Sequence, residues 1–224
     1  MGGILGVTSE KVENCYNLGN VEGDSYVGGI VGGGTKEINN CYNKGNISGP
    51  HIGGIVGRMN GKIINSYNMG DVLANTTAGG IAGAITGSGN EISNCFNVGK
   101  INTRGTYPYF LKYGGILGNI ESGSIAINNC YNTIVFSQGH STNRIGGIVG
   151  ASSASITMNK CYYLKQGDTQ KAISGTEDDI NQVTGCNDIS EITATILNDN
   201  INNKEHTDEW RKWKMGEEGY PVFE

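Results

Sequence analysis

A Gly-Gly pair followed by two apolar residues begins at Gly2, Gly28, Gly53, Gly79, Gly114 and Gly146. A second block follows each pair: NCYN at 14–17 and 40–43, NSYN at 65–68, NCFN at 94–97, NCYN at 129–132 and KCYY at 160–163. Successive pairs stand 26, 25, 26, 35 and 32 residues apart, and each lies 13, 13, 13, 16, 16 and 15 residues before its cysteine position. Two markers that hold one phase through six copies define a repeat rather than a biased composition. Such a chain folds as a stack of equivalent units, none of which can bury a core alone.

The unit itself is a strand former. In the second repeat the apolar runs are Ile30-Val31, Ile38 and Ile47, each far too short for a helix. Asn and Gly recur between them, where tight or left-handed corners tolerate both; Asn17/Gly19, Asn43/Gly45, Asn68/Gly70 and Asn97/Gly99 fit such corners. The expected fold is all-β, a right-handed parallel β-solenoid of about six rungs with three short strands per rung over residues 1–163. Rungs about 4.8 Å apart place equivalent residues directly over one another. Ladders of side-chain amides then follow at Asn14, Asn40, Asn65, Asn94 and Asn129, and at Asn17, Asn43, Asn68, Asn97 and Asn132. Tyr16, Tyr42, Tyr67, Phe96, Tyr131 and Tyr162 form an aromatic column. Alternation does not decide which of Ile30 and Val31 faces the core.

The runs GGIVG and NCYNxGxI resemble the GLUG repeat of bacterial surface proteins, over residues 1 to about 163. Similar repeats occur in adhesin-like proteins and in some immunoglobulin A1 metallopeptidases. The ending with Trp213 and Gly219 to Phe223 resembles the close of such arrays. The resemblance implies a bacterial cell-surface or secreted setting. It transfers no catalytic site, because the sequence contains no HExxH. The chain starts in mid-repeat and shows no leader, which predicts a longer parent whose neighbouring domains cover the first rung.

Charge divides the chain. Residues 1–161 hold ten Lys/Arg and eight Asp/Glu, and residues 162–224 hold six and thirteen, so +2 and −7 sum to the net −5. The acidic part, residues 164–224, is expected to be a small α+β C-terminal cap over the open end of the solenoid. It has a short helix at 190–200 with Ser190 as N-cap and a final strand at Tyr220 to Phe223. Glu177, Asp178 and Asp179 form an acidic run without the DxDxDG spacing of a calcium loop. No metal or other cofactor is expected. Nor is a membrane span, since no segment approaches about 18 continuous apolar residues.

Cys15, Cys41, Cys95, Cys130 and Cys161 share one column, with Ser66 in the vacant place. Stacked Cβ atoms about 4.8 Å apart exceed the roughly 3.8 Å of a relaxed disulfide. Free, buried thiols are therefore expected, and no CxxC or paired histidine suggests zinc. His51, His140 and His206 are isolated in sequence, His51 as a corner residue. No carboxylate dyad, phosphate loop or Lys/Arg stripe stands out, so the chain is read as non-catalytic and not a nucleic-acid binder.

The repeat is broken in two places. Nineteen residues separate Cys95 from Gly114, against 12 or 13 earlier, and the added stretch TRGTYPYFLKY brings Arg104, Tyr107, Tyr109, Phe110, Lys112 and Tyr113. The next repeat is enlarged at the same corner by FSQGHSTNR, with Phe136, Gln138, His140, Asn143 and Arg144. Insertions on adjacent rungs lie side by side and commonly form the binding face of a repeat protein. Arg104, Tyr107, Tyr109, Phe110, Lys112, Gln138, His140, Asn143 and Arg144 are thus candidate ligand contacts. Host glycan or an extracellular-matrix protein would be the partner. The alternative is that these aromatics fold down as a satellite core of a structural spacer. A polysaccharide-active β-helix enzyme is a third reading.

Overall fold

In a computed structural model the repeats wind into a parallel β-solenoid with four walls; residues 1–34, 36–103, 111–134, 136, 144–152, 154–165, 170–174, 182–202 and 209–224 are described. Wall one stacks Leu5–Thr8, Val31–Gly34, Val56–Met59, Ala82–Ile85, Leu117–Ile120 and Val149–Ser152. Wall two stacks Val12–Glu13, Glu37–Asn39, Lys62–Ile64, Asn90–Ser93, Ser124–Asn128 and Ser155–Asn159. Wall three stacks Tyr16–Asn17, Tyr42–Asn43, Tyr67–Asn68, Phe96–Asn97, Tyr131–Asn132, Cys161–Leu164 and Val183–Cys186. Wall four is the widest. It contains Ile47–Gly53 and Val72–Gly79, flanked by the paired pieces Val21–Glu22 and Tyr26–Gly28, and by Ile101–Thr103, Lys112–Gly114 and Arg144–Gly146.

Four strands per rung therefore replace the three expected. The additional strand is the two-residue Tyr-Asn of wall three, which carries no aliphatic run for a periodicity argument to find. Its inward position is an amide. Asn17 Nδ2 donates to Asn43 Oδ1, Asn43 to Asn68 and Asn68 to Asn97, each at 2.8 Å, and Asn97 donates to Asn132 at 3.0 Å. The same nitrogens reach the carbonyl two residues on, at Gly19, Gly45, Gly70, Gly99 and Ile134. Every amide of this ladder is satisfied without water, as burial demands.

This ladder also explains the second glycine of each Gly-Gly pair. A Cβ at Gly54 would lie 2.4 Å from Asn68 Cγ and 2.0 Å from the Gly80 carbonyl oxygen. At the last rung the asparagine is replaced by Tyr163, which pairs in register with Asn132. Its ring occupies the space beside Gly147, where a Cβ would stand 2.0 Å from Tyr163 Cδ2.

The left-handed corners fall at the first asparagine of the block, not at the second. Asn14, Asn40, Asn65, Asn94 and Asn129 have φ between 49° and 55°, and Lys160 takes the same place at 53°. Asparagine tolerates this region better than other side chains. The chain bends again after each Gly-Gly, so Ile30 and Val31 both enter the main core beside Ile38, Ile55, Ile63 and Ile81. All six cysteines are free, and Cys41, Cys95, Cys130, Cys161 and Cys186 are buried. Wall four encloses a second core of Val21, Val27, Ile47, Ile52, Val72 and Ile101.

The C-terminal segment both continues the stack beyond the last rung and lies along its side. Val183–Cys186 extends wall three, and Ile173 bridges to Val149 of wall one. Helix α1, Ala194–Asn202, and the antiparallel pair Trp213–Met215/Pro221–Phe223 then lie along the outside of wall three. They cover the aromatic column from Tyr67 to Tyr131, and its rings stack 4.7–5.2 Å apart within 8° of parallel from Tyr16 to Tyr131. Trp213 and Phe223 pack tilted or edge-on against Phe96. The corner asparagines hold the segment: Trp213 Nε1 and Arg211 N donate to Asn94 and Asn65, and Asn200 Nδ2 donates to Asn129. The helix starts later than its sequence suggests. Asp188 and Glu191 form a capping box on a short 3₁₀ turn, and Thr193 Oγ1 accepts from Ile196 N at the start of α1.

Two outcomes follow. Asn68→Ala leaves Asn97 Oδ1 without its Asn68 donor and one of the two Asn43 Nδ2 protons without an acceptor, at about 1–3 kcal/mol for each buried group. Urea unfolding should show the variant destabilised by at least about 2 kcal/mol. Burial raises the Cys41 thiol to about 11 and the Cys130 and Cys161 thiols well above their ordinary value. Alkylation of the native protein at pH 8 should therefore modify Cys15 first, the others reacting only after denaturation.

Candidate functional site

The outer surface of wall four is where the repeats disagree. Two residues before each Gly-Gly stand Tyr26, His51, Thr77, Lys112 and Arg144, and the register stacks them in that order. The scaffold holds the position constant while the chemistry changes at every rung. Here the ladder has a bulge between Ala74 and Thr77, which admits the exposed Thr76.

Side chains from wall one complete a polar cluster at one end of this column. The Tyr26 and His51 rings stack 5.1 Å apart, and the Arg58 guanidinium lies 5.3 Å from the Tyr26 centroid. Glu121 accepts from the Tyr26 hydroxyl at 2.8 Å and pairs with Arg58 Nη2 at 3.0 Å. Ala84, between Arg58 and Asn119 in the wall-one register, leaves the space this reach requires. The ion pair is part-exposed and contributes at most about 1 kcal/mol. Its value lies in fixing the tyrosine and the guanidinium. Burial, and then the hydrogen bond to Glu121, raise the Tyr26 phenol above its ordinary range, so it remains a donor.

The imidazole tautomer follows from its neighbours. Thr76 Oγ1 donates to the Pro50 carbonyl at 2.6 Å, so the 3.3 Å contact with His51 Nδ1 has the ring N–H as donor. Nε2 is then an acceptor. Burial lowers the His51 pKa below its ordinary 6.5; the Glu121 carboxylate acts against this and the Lys112 ammonium adds to it. At neutral pH the cluster offers a guanidinium, an ammonium, a neutral imidazole and an aromatic face.

Of the residues singled out from the insertions, Lys112 and Arg144 stand side by side in this column. Arg104, Tyr107, Tyr109, Phe110, Gln138, His140 and Asn143 lie outside the described residues, as do Glu177, Asp178, Asp179 and His206. Leu111, Tyr113 and Phe136, at the roots of the insertions, are buried in the second core, and the Tyr113 hydroxyl donates to the Ala74 carbonyl at 2.6 Å. The insertions thus anchor inward at their ends. Sequence reasoning missed Tyr26, Arg58, Thr76 and Glu121 and placed His51 at a corner, whereas it lies in the strand Ile47–Gly53. The available signal was the constant offset from Gly-Gly. Among the described residues no three His, Cys, Asp or Glu side chains are grouped to hold a metal ion, and no helix is long and apolar enough to cross a membrane.

No protein-family model and no curated protein matches the sequence. Among solved structures, the chain is similar to the crystal structure of a candidate immunoglobulin A1 protease from Bacteroides ovatus. The TM-score is 0.68 at 23% identity, over 100% of this chain and 74% of that one. At this identity the likeness establishes the fold.

The His51 environment makes a signed prediction. A depressed folded-state pKa means that the unfolded chain takes up its proton first, so this group destabilises the fold as pH drops below 6.5. An NMR titration of the ring should give a midpoint below 6.5, raised by Lys112→Gln and lowered further by Glu121→Gln.

Proposed function

We propose that the chain is a non-catalytic ligand-binding module of a bacterial surface or secreted protein, carried on a GLUG-type solenoid. The carrying observation is the column Tyr26–His51–Thr77–Lys112–Arg144, in which one backbone position is kept and its chemistry diversified beside the two sequence insertions. Tyr26, His51 and Lys112 are part-exposed and Arg144 is exposed, with Thr77 buried between them, and insertions in a repeat protein often map to its binding face. Tyr26 supplies a flat apolar surface and Arg58, Lys112 and Arg144 supply donors, a set suited to a glycan or a matrix protein carrying acidic groups. Arg104, Tyr107, Tyr109, Phe110, Gln138, His140 and Asn143 are proposed to extend that surface. Neighbouring domains of a longer parent chain, rather than nucleic acid or a bilayer, are the other proposed partners.

A second reading has its own support. The burial of Leu111, Tyr113 and Phe136 is what a spacer with covered insertions requires. Proteolysis is not part of the reading, because the sequence lacks HExxH and the identity to the Bacteroides protein is too low to carry its chemistry. Binding of the purified chain to arrayed glycans and matrix proteins, at low and physiological salt, separates the two. The binding module predicts a hit that weakens at least tenfold in Tyr107→Ala/Tyr109→Ala and in Arg58→Ala. A blank array supports the spacer.

A further inference from the structure

The other end of wall four carries a groove unlike the basic, aromatic cluster just described. It encloses about 500 Å³ and is lined by Asn20, Glu22, Asn46, Ser48, Asp71, Leu73 and Asn102, over the buried Val21, Ile47 and Val72. Glu22, Ser48, Leu73 and Asn102 are consecutive register partners, so the groove runs along the solenoid axis across four rungs. At about 4.8 Å per rung it is on the order of 14 Å long.

Its rim is oriented by the backbone. Asn20 Oδ1 accepts from Asn46 N at 3.0 Å, Asn46 Oδ1 from Asp71 N at 3.1 Å, and Asp71 Oδ1 from Lys100 N at 3.0 Å. Each side chain spends one oxygen on the rung above. Among the described residues nothing engages the amide nitrogens of Asn20 and Asn46 or the second oxygen of Asp71. Two donors and an acceptor are thus held at rung spacing. Ser48 keeps the floor low between Glu22 and Leu73.

Leu73 is the second observation. Among the described residues, large exposed apolar side chains otherwise occur on the first repeat (Met1, Ile4, Leu5, Val7, Tyr16 and Leu18) and at Met215. Leu73 is 38% exposed in the middle of the stack, with amides and carboxylates around it. An apolar contact inside a ring of fixed hydrogen-bonding groups suits the C–H face of a sugar with its hydroxyls directed to the rim. Among the described residues the lining contains Glu22 and Asp71 and no Lys or Arg, which disfavours an anionic ligand.

We propose that this groove binds a neutral, extended oligosaccharide lying along the solenoid axis, about one sugar unit per rung over four rungs. It is a separate site from the Tyr26–Arg58 cluster and of opposite charge preference.

The test is calorimetric titration with β-1,4-linked glucose and N-acetylglucosamine oligomers of two to six units, beside a polyuronate oligomer of matching length. Affinity for one of the neutral series should rise with length and level off near four units. Ser48→Arg, which fills the floor from an accessible position, should weaken it at least tenfold, with thermal unfolding showing that the variant is folded. Lys62→Gln, on wall two, should leave it unchanged. The proposal is overturned if neither neutral series binds at millimolar concentration, if the polyuronate binds equally well, if affinity is independent of length, or if Ser48→Arg binds as the parent does. Ser48→Gly, which keeps the floor open, should bind within about threefold of the parent and guards against a nonspecific effect of the arginine.

Discussion

Asn68 donates one proton of its amide to Asn97 Oδ1 and one to the Gly70 carbonyl, and accepts a third hydrogen bond from Asn43, all without exposure to solvent. Repeated from Asn17 to Asn132, this arrangement is the constraint on which the rest of the solenoid depends. Each net hydrogen bond contributes only about 1 kcal/mol. The larger quantity is the cost of getting the register wrong, because a strand slipped by one residue faces a buried amide with an aromatic ring. The ladder therefore selects one stacking of walls that the aliphatic core would accept in several. The Gly-Gly pair is its steric counterpart, removing the Cβ that would strike the amide.

Once stacking is fixed, every position becomes a column. Inward columns are uniform because they share an interior: isoleucine, cysteine, asparagine. The corner asparagines serve twice, adopting the left-handed turn and presenting amides that grip the C-terminal segment from Asn65 to Asn129. That grip explains why the segment lies along the side of the solenoid. Trp213 and Phe223 bury the aromatic column while Trp213 Nε1 satisfies Asn94. The first rung extends beyond it, leaving Tyr16 exposed. On wall four the outward positions meet no such partner among the described residues, and there the repeats vary.

Much of this was legible in the sequence. The phase of Gly-Gly and Asn-Cys-aromatic-Asn implied stacked parallel strands, and the spacing of stacked Cβ atoms implied free thiols. Three things were not legible. The fourth strand of each rung carries a single aromatic and a polar inward residue, so no hydrophobic period marks it. The side-on course of the C-terminal segment depends on tertiary contacts more than a hundred residues away, such as Trp213 to Asn94. The Tyr26–His51–Arg58–Glu121 cluster joins two walls, and Glu121 lies 95 residues from Tyr26. The eye is drawn to insertions, but the informative positions kept their spacing and changed their residue.

The most direct test of the central claim is hydrogen exchange of the side-chain amides themselves, read by NMR. The account predicts that the Nδ2 protons of Asn43, Asn68 and Asn97 exchange only through global unfolding, at the same free energy as the most protected backbone amides. Exchange of those protons within minutes under native conditions would mean that the ladder opens locally. It could not then be what sets the register.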